Sequence, residues 1–167
     1  SSCELFTTED KGYIPIEMVL KNKGIVFNSL DSKIIPEIKK INGVIYMKIG
    51  FGSDHSGVAL KNILMEHVRS KGYECVDYGT PDSKVPANYA EFGLKVAEAI
   101  KSHEVEKGVM VCGSGVGISL AANKVPGVRA AACSEPCTAK LAVEHSDINA
   151  VAMGVCIVGP EEAKMIV

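Results

Sequence analysis

From Met47 onward, short apolar runs alternate with stretches in which apolar residues recur at helical spacing. The runs predict five strands, at residues 47–52, 73–79, 108–112, 128–133 and 150–159. The stretches that follow them predict five helices, at residues 58–72, 89–103, 117–124, 135–145 and 159–167. Strands that are apolar throughout and joined by helices are typical of a parallel sheet covered on both faces. The pattern therefore predicts an α/β fold with a five-stranded parallel sheet.

The first two predicted helices are amphipathic. The buried face of the first is expected to carry Leu60, Ile63, Leu64 and Val68. The buried face of the second is expected to carry Phe92, Val96, Ala99 and Ile100. Asp54 or Ser56 can cap the start of the first helix, and Gly72 is placed to end it.

Residues 1–46 lack this regularity and are predicted to form an N-terminal extension of unclear structure, with a domain boundary near Met47. Within the extension we expect a strand at residues 24–30 and one or two helical turns at residues 36–41.

The composition excludes several classes of partner. The formal net charge is -2 and no cluster of Lys and Arg occurs, which argues against binding of nucleic acid or an anionic membrane. No apolar run is long enough to span a bilayer. The N-terminus has no basic segment followed by an apolar one, so we expect a cytoplasmic protein.

The chain has six cysteines but no CxxC pair, so neither a zinc site nor a disulfide scaffold is supported. Every cysteine except Cys112 is predicted to be a buried free thiol, since Cys75, Cys133 and Cys156 stand among apolar or small residues. His67 and His103 are predicted to lie at the surface.

Right-handed crossovers place every loop that follows a strand at one edge of a parallel sheet, where ligands bind. This rule brings together Asp54 and His55 after the first strand and the loop that begins at Cys112 after the third. His145 precedes the fifth strand, so the same rule places it at the opposite edge.

The stretch VCGSGVGISLAANK at residues 111–124 combines a thiol with three alternating glycines and the start of a helix. Glycines let a ligand approach the main chain, and N–H groups at a helix start are free to bind an anion. The spacing matches neither a P-loop nor a dinucleotide motif, and no acidic residue ends the second strand unless Asp77 serves. A thiol beside backbone donors suits proton abstraction next to a carbonyl, or nucleophilic attack by the thiol.

Five segments carry a resemblance to a known family: GSDHSG, DYGT, VCGSGVGISLAANKVPGVRAA, SEP..AKLAVEH and GPEEAKMIV. Over residues 47–167 the chain closely resembles the type B ribose-5-phosphate isomerases and the related galactose-6-phosphate isomerase subunits. The resemblance implies a Rossmann-like three-layer fold and aldose–ketose isomerisation through a cis-enediolate, most simply of ribose 5-phosphate to ribulose 5-phosphate. It implies no metal or organic cofactor, and a homodimer or homotetramer with shared active sites.

The resemblance also assigns roles to residues. Cys112 is expected to act as the base, with Ser114 supporting the proton transfers and the main-chain N–H groups of residues 113–117 forming an anion hole. Asp54 is expected to bind sugar hydroxyls and His55 to lie near the phosphate. His145 is expected to open the furanose ring, arriving from the partner subunit.

The expected substrate-binding residues also include the following positions of the same block: Gly113, Gly115, Val116, Gly117, Ser119, Asn123 and Arg129. An alternative role for Asn123 is to orient the loop without contacting the substrate.

The chain departs from the family pattern at three positions. Pro86 stands where a tyrosine is usual, Ser146 where an asparagine is common, and Cys156 where an arginine helps to hold phosphate. The matching region also stops at Val167, before the helix that carries two further phosphate-binding arginines, so that helix is expected to be truncated. These departures leave two alternatives: an isomerase of a six-carbon or unphosphorylated sugar, or a non-catalytic sugar-phosphate-binding subunit of a hetero-oligomer.

Overall fold

The computed structural model describes residues 40–41, 44–45 and 47–167. The strands of the main sheet are β1 Lys48–Ser53, β2 Glu74–Asp77, β3 Lys107–Cys112, β4 Ala130–Ala132 and β5 Ala150–Gly154. The helices are α1 Val58–Ser70, α2 Tyr89–Lys101, α3 Val116–Ala122, α4 Pro136–Ser146 and α5 Pro160–Ile166. A 3-10 turn, His55–Gly57, lies between β1 and α1. The predicted alternation of strand and helix is confirmed.

All strand pairs of this sheet are parallel, in the order β2-β1-β3-β5-β4. One apolar cluster packs α2 and α3 against the sheet, around Val96, Met110 and Ile118. The other packs α1, α4 and α5 against the opposite face, around Leu64 and Met153. Two covered faces make the predicted three-layer α/β fold, and this prediction is confirmed.

The predicted apolar faces are buried, apart from Ile63, which is partly exposed. The buried members are Leu60, Leu64, Val68, Phe92, Val96, Ala99 and Ile100. Gly72 follows α1 with φ of 91°, a left-handed conformation that suits glycine at a helix end.

The predicted fifth strand, residues 150–159, is wrong beyond Gly154. The chain turns there because the N–H groups of Val155 and Cys156 bond to the carbonyl oxygens of Cys112 and Gly113, at 2.9 and 3.1 Å. The fifth strand thus ends against the glycine loop instead of running past it. Cys156 is in consequence exposed, as is Cys137, so the prediction of buried thiols is wrong for both.

The prediction of helical turns at residues 36–41 is wrong for its last two residues. Lys40–Ile41 pairs as a short antiparallel strand with Val44–Ile45. The remainder of that prediction and the strand at residues 24–30 lie outside the described residues. The domain boundary near Met47 stays a prediction.

His67 is half-buried and, among the described residues, no group bonds to its Nε2, so the prediction of a surface histidine is wrong. Its helix, α1, packs against α5. In the part of the chain that the structure describes, no helix is both long and apolar enough to cross a membrane.

Candidate active site

The candidate site lies at the carboxyl ends of β1 and β3. The chain leaves β1 for β2 on one side and returns to β3 on the other, so the strand order reverses between these two neighbours. Loops diverge at such a point and leave a crevice for a ligand. The Asp54 N–H donates to the carbonyl oxygen of Val111 at 3.3 Å, which ties the two strand ends together.

Asp54 is buried and caps the 3-10 turn that leads from β1 into α1; the helix expected to be capped by Asp54 or Ser56 has Gly57 as its N-cap. Its Oδ1 accepts from the N–H groups of Ser56 and Gly57, each at 3.0 Å, and from the Ser56 hydroxyl at 2.6 Å. Among the described residues, no donor is bonded to its Oδ2. One carboxylate oxygen therefore fixes the turn and the other is left for a ligand.

Cys112 ends β3 with 3 % of its surface exposed. Its Sγ accepts a hydrogen bond from the Gly115 N–H at 3.2 Å, so the loop folds back over the sulfur. Gly115 adopts φ of 79°, a left-handed conformation that favours glycine, and is the N-cap of α3. The sulfur is thereby held inside the loop.

The same loop offers backbone donors. Within the described residues, the N–H groups of Gly113, Ser114 and Gly117 have no hydrogen-bond acceptor, whereas the Val116 N–H reaches the Ser114 hydroxyl at 3.3 Å. Unpaired N–H groups near a thiol can stabilise negative charge on a ligand.

His55 is positioned by a residue far along the chain. Its Nδ1 accepts a hydrogen bond from the Ala87 N–H at 3.1 Å. A neutral imidazole that accepts at Nδ1 carries its proton on Nε2, which is then a hydrogen-bond donor. The β2–α2 loop, residues 78–88, is thus attached to the turn after β1.

Tyr89, the first residue of α2, packs on Gly117. A Cβ built on Gly117 would come within 2.6 Å of the Tyr89 ring. Neither Tyr89 nor Ala87 was predicted as a site residue, because no local pattern marks a contact across such a separation. The one signal available was their position in the loop that follows a strand.

Asp77 is not free to bind a ribose hydroxyl group. Its Oδ2 is 2.5 Å from the Lys61 ammonium and its Oδ1 accepts from the Gly79 N–H at 2.9 Å. Both carboxylate oxygens are engaged within the protein, in agreement with the glycine pattern, which matched no nucleotide motif. No group of three or more metal-ligating side chains occurs in the described ranges.

The profile of the ribose/galactose isomerase family matches residues 49–167. The chain belongs to this family. It is 47% identical over 120 residues to ribose-5-phosphate isomerase B of Escherichia coli K12, covering 72% of this chain and 80% of that protein. It is 42% identical over 113 residues to the galactose-6-phosphate isomerase subunit LacB of Clostridium acetobutylicum, covering 68% of this chain and 65% of that subunit.

Solved structures of the family agree with the fold. Ribose-5-phosphate isomerase B of Clostridium thermocellum superposes with a TM-score of 0.70 at 48% identity, covering 72% of this chain and 80% of that one. The type B ribose 5-phosphate isomerase of Trypanosoma brucei superposes with a TM-score of 0.70 at 36% identity, covering 72% of this chain and 82% of that one. The resemblance inferred from the sequence is confirmed.

Three residues expected in the site lie at the opposite, amino edge of the sheet. The Asn123 side chain exchanges two 2.8 Å hydrogen bonds with the backbone of Ala130, at the start of β4. Arg129 bonds through its guanidinium to the carboxylate and carbonyl of Asp147, at 3.0 and 2.6 Å. His145 is exposed in the last turn of α4. Within one chain these residues do not meet Cys112.

Ser119 and Val116 lie at the correct edge, in α3. The Ser119 hydroxyl is buried and donates to the Val116 carbonyl oxygen at 2.8 Å, so it is used within the helix. The Val116 side chain is exposed beside the loop.

Proposed function

We propose that this protein is an aldose–ketose isomerase of sugar phosphates that interconverts ribose 5-phosphate and ribulose 5-phosphate. The observation that carries the proposal is the Cys112 thiol, held in a loop of unpaired N–H groups beside Asp54 and His55. Family membership supports it, since the Escherichia coli relative is named for this reaction.

Cys112 is the base in this proposal. The thiolate removes the proton from C2 of the open-chain aldose, and the electron pair moves to form a cis-enediolate. The same proton returns to C1 while a second proton passes from O2 to O1, so hydrogen is only relocated and neither an oxidant nor a reductant is consumed. General base catalysis of this kind contributes roughly 10² to 10⁴ in rate.

The backbone of the loop stabilises the enediolate. The N–H groups of Gly113, Ser114 and Gly117 are fixed before substrate arrives, so no reorganisation is needed when charge develops on the oxygens. The Ser114 hydroxyl supports proton exchange at the same oxygens.

Asp54 and His55 hold the rest of the substrate. Asp54 Oδ2 accepts a sugar hydroxyl, while Oδ1 stays committed to the turn. His55 donates from Nε2 toward the phosphate, because its Nδ1 is engaged by Ala87. Val116 borders the site through its exposed side chain.

We further propose a homodimer or homotetramer in which the partner completes the site. His145 and Arg129 lie at the amino edge of their own sheet, so they reach a Cys112 loop only from another subunit. His145 then opens the furanose ring before the proton transfer. The substrate is a soluble metabolite, in keeping with a cytoplasmic location.

The direct test is an isomerase assay on the full chain with ribose 5-phosphate. We expect activity, and a fall in kcat of about 10²-fold or more in Cys112→Ser. Cys137→Ser is the matched control, because Cys137 is exposed on α4 and outside the site. Activity that survives Cys112→Ser removes the role of Cys112, and an inactive wild-type chain removes ribose 5-phosphate as the substrate.

A second candidate, an isomerase of a six-carbon or unphosphorylated sugar, is favoured by Cys156. It is exposed in the turn after β5, where the family pattern has a phosphate-holding arginine. A thiol lacks the forked donors that bind phosphate. Comparison of kcat/KM for ribose 5-phosphate, galactose 6-phosphate and free ribose separates the candidates.

A further inference from the structure

Lys61 is a buried cation that the proposed chemistry does not use. Only 1% of its side chain is exposed, although it lies on α1 one turn after the Asp54 turn. A buried ammonium group is costly unless it is paired. It pairs with Asp77, at the end of β2, with Nζ 2.5 Å from Oδ2.

The pair fixes the start of the β2–α2 loop. Asp77 Oδ1 accepts the Gly79 N–H at 2.9 Å, and the Thr80 N–H bonds to the Ser53 carbonyl oxygen at 3.0 Å. The aliphatic stem of Lys61 runs beneath Gly79, where a Cβ would lie 3.0 Å from Cδ of the lysine. Lys61 therefore supports the start of the loop in two ways: its ammonium group binds Asp77, and its aliphatic stem packs against Gly79.

The far end of the loop is held at the site. The Ala87 N–H bonds to His55 Nδ1, and Asn88 caps α2 by accepting the Ala90 N–H at 3.0 Å. Between these ends, residues 81–86 are exposed. Among the described residues, the hydrogen bonds of this middle part only join Thr80 to Asp82 and Lys84 to Asp82. Its position thus depends on the two ends.

We propose that Lys61 is a positioning residue for the reaction: through Asp77 it seats the β2–α2 loop so that Ala87 keeps His55 in the Nε2–H form. The inference rests on the proposed function, in which His55 binds the substrate phosphate. Lys61 acts through the loop, since its buried side chain does not reach a ligand.

Lys61 and Asp77 differ in exposure, so replacing one is not equivalent to replacing the other. Asp77 is 40% exposed and can be solvated when Lys61 is replaced. Removing the charge of Asp77 instead leaves a buried ammonium without its carboxylate, the more damaging change. Lys61→Met keeps the stem that supports Gly79, so it separates loop positioning from loss of fold.

The experiment compares Lys61→Met with a change at an exposed lysine of α2, Lys101→Met; Lys101 pairs with Glu98 at 3.4 Å. In Lys61→Met we expect KM for ribose 5-phosphate to rise about tenfold, with kcat nearly unchanged, because one positioned hydrogen bond to the substrate is weakened. Nitrogen-15 spectra of the ligand-free protein should show His55 changing from a single Nε2–H tautomer to a mixture. Lys101→Met should match wild type in both readouts.

Ala87→Pro removes the donor to His55 directly and should reproduce both effects, with no further change when combined with Lys61→Met. Unchanged KM and unchanged His55 spectra in Lys61→Met overturn the inference. Should that variant fail to fold, Lys61→Met/Asp77→Leu removes both charges and is judged by the same readouts. The spectra need no substrate, so an inactive wild-type chain would defeat the proposed function while the seating of His55 is still tested.

Discussion

Gly154, the last residue of β5, lies directly against the backbone of Ser114 in the Cys112 loop. A Cβ at position 154 would come within 2.6 Å of both Cα and the carbonyl carbon of Ser114, and within 2.8 Å of the Gly113 oxygen. These are backbone atoms, which cannot move without moving the loop. The end of one strand thus sets the position of the proposed anion hole.

Gly154→Ala should therefore shift the loop. We expect the free energy of unfolding to fall by about 1–3 kcal/mol, as for other overpacked sites, and kcat to fall with it. Gly159→Ala is the matched control, because nothing lies within 4 Å of its Cβ position. Urea denaturation and steady-state kinetics measure both effects. Wild-type stability and kcat in Gly154→Ala would show that the loop accommodates the methyl group.

Gly117→Ala should act on activity more than on stability. The added Cβ would displace the Tyr89 ring, which is 44% exposed and can swing into solvent. Alanine is also favoured over glycine within a helix by about 1 kcal/mol, which offsets the lost contact. We expect lower kcat/KM at nearly unchanged melting temperature. Tyr89→Ala should have a similar effect, and the double variant should be no worse than either. Additive losses would mean that Tyr89 and Gly117 act independently.

His67 should make stability depend on pH. Burial, followed by the positive charges of Lys71 and Lys164, lowers its pKa from the ordinary value of 6.5, although Glu161 and the Lys164 backbone act in the opposite sense. The unfolded chain therefore binds the proton more readily, and folding stability falls as pH drops below about 6.5 until the lower, folded-state pKa is passed.

His67→Gln should remove this part of the acid sensitivity. We expect the change in unfolding free energy between pH 7.5 and pH 5.5 to be smaller in His67→Gln than in wild type, as measured by urea denaturation at each pH. Equal changes in the two proteins would show that His67 does not contribute.

Shared active sites can be tested by mixing inactive subunits. Cys112→Ser and His145→Asn each disable both sites of their own homodimer. A mixed dimer places both substitutions in one site and leaves the other intact, so an equal mixture after exchange should regain about a quarter of wild-type activity. Mixing Cys112→Ser with Cys112→Ala is the control and should regain none. No recovery in the first mixture, with exchange confirmed by mass, would place His145 outside the partner's site.

The sequence alone determined the elements that depend on local pattern. Strand-like runs separated by amphipathic stretches predicted all five β-α units, because periodicity reflects which side faces a core. The Asp54 cap and the glycine after α1 were equally readable, since each involves only neighbours in the chain. The parallel order of such units then placed Asp54, His55 and Cys112 at one edge.

Only the tertiary structure decided where those elements stop and what they contact. The fifth strand ends at Gly154 because the next two N–H groups bond to the Cys112 loop, a partner about forty residues away in sequence that no apolar run reveals. Lys61, on α1, is buried because Asp77 at the end of β2 pairs with it, although a lysine is ordinarily exposed. The Ala87 N–H bonds to His55 Nδ1 because folding brings the β2–α2 loop against the turn after β1. Hydrogen bonds and ion pairs between distant segments depend on how the chain packs in three dimensions, which local periodicity does not encode.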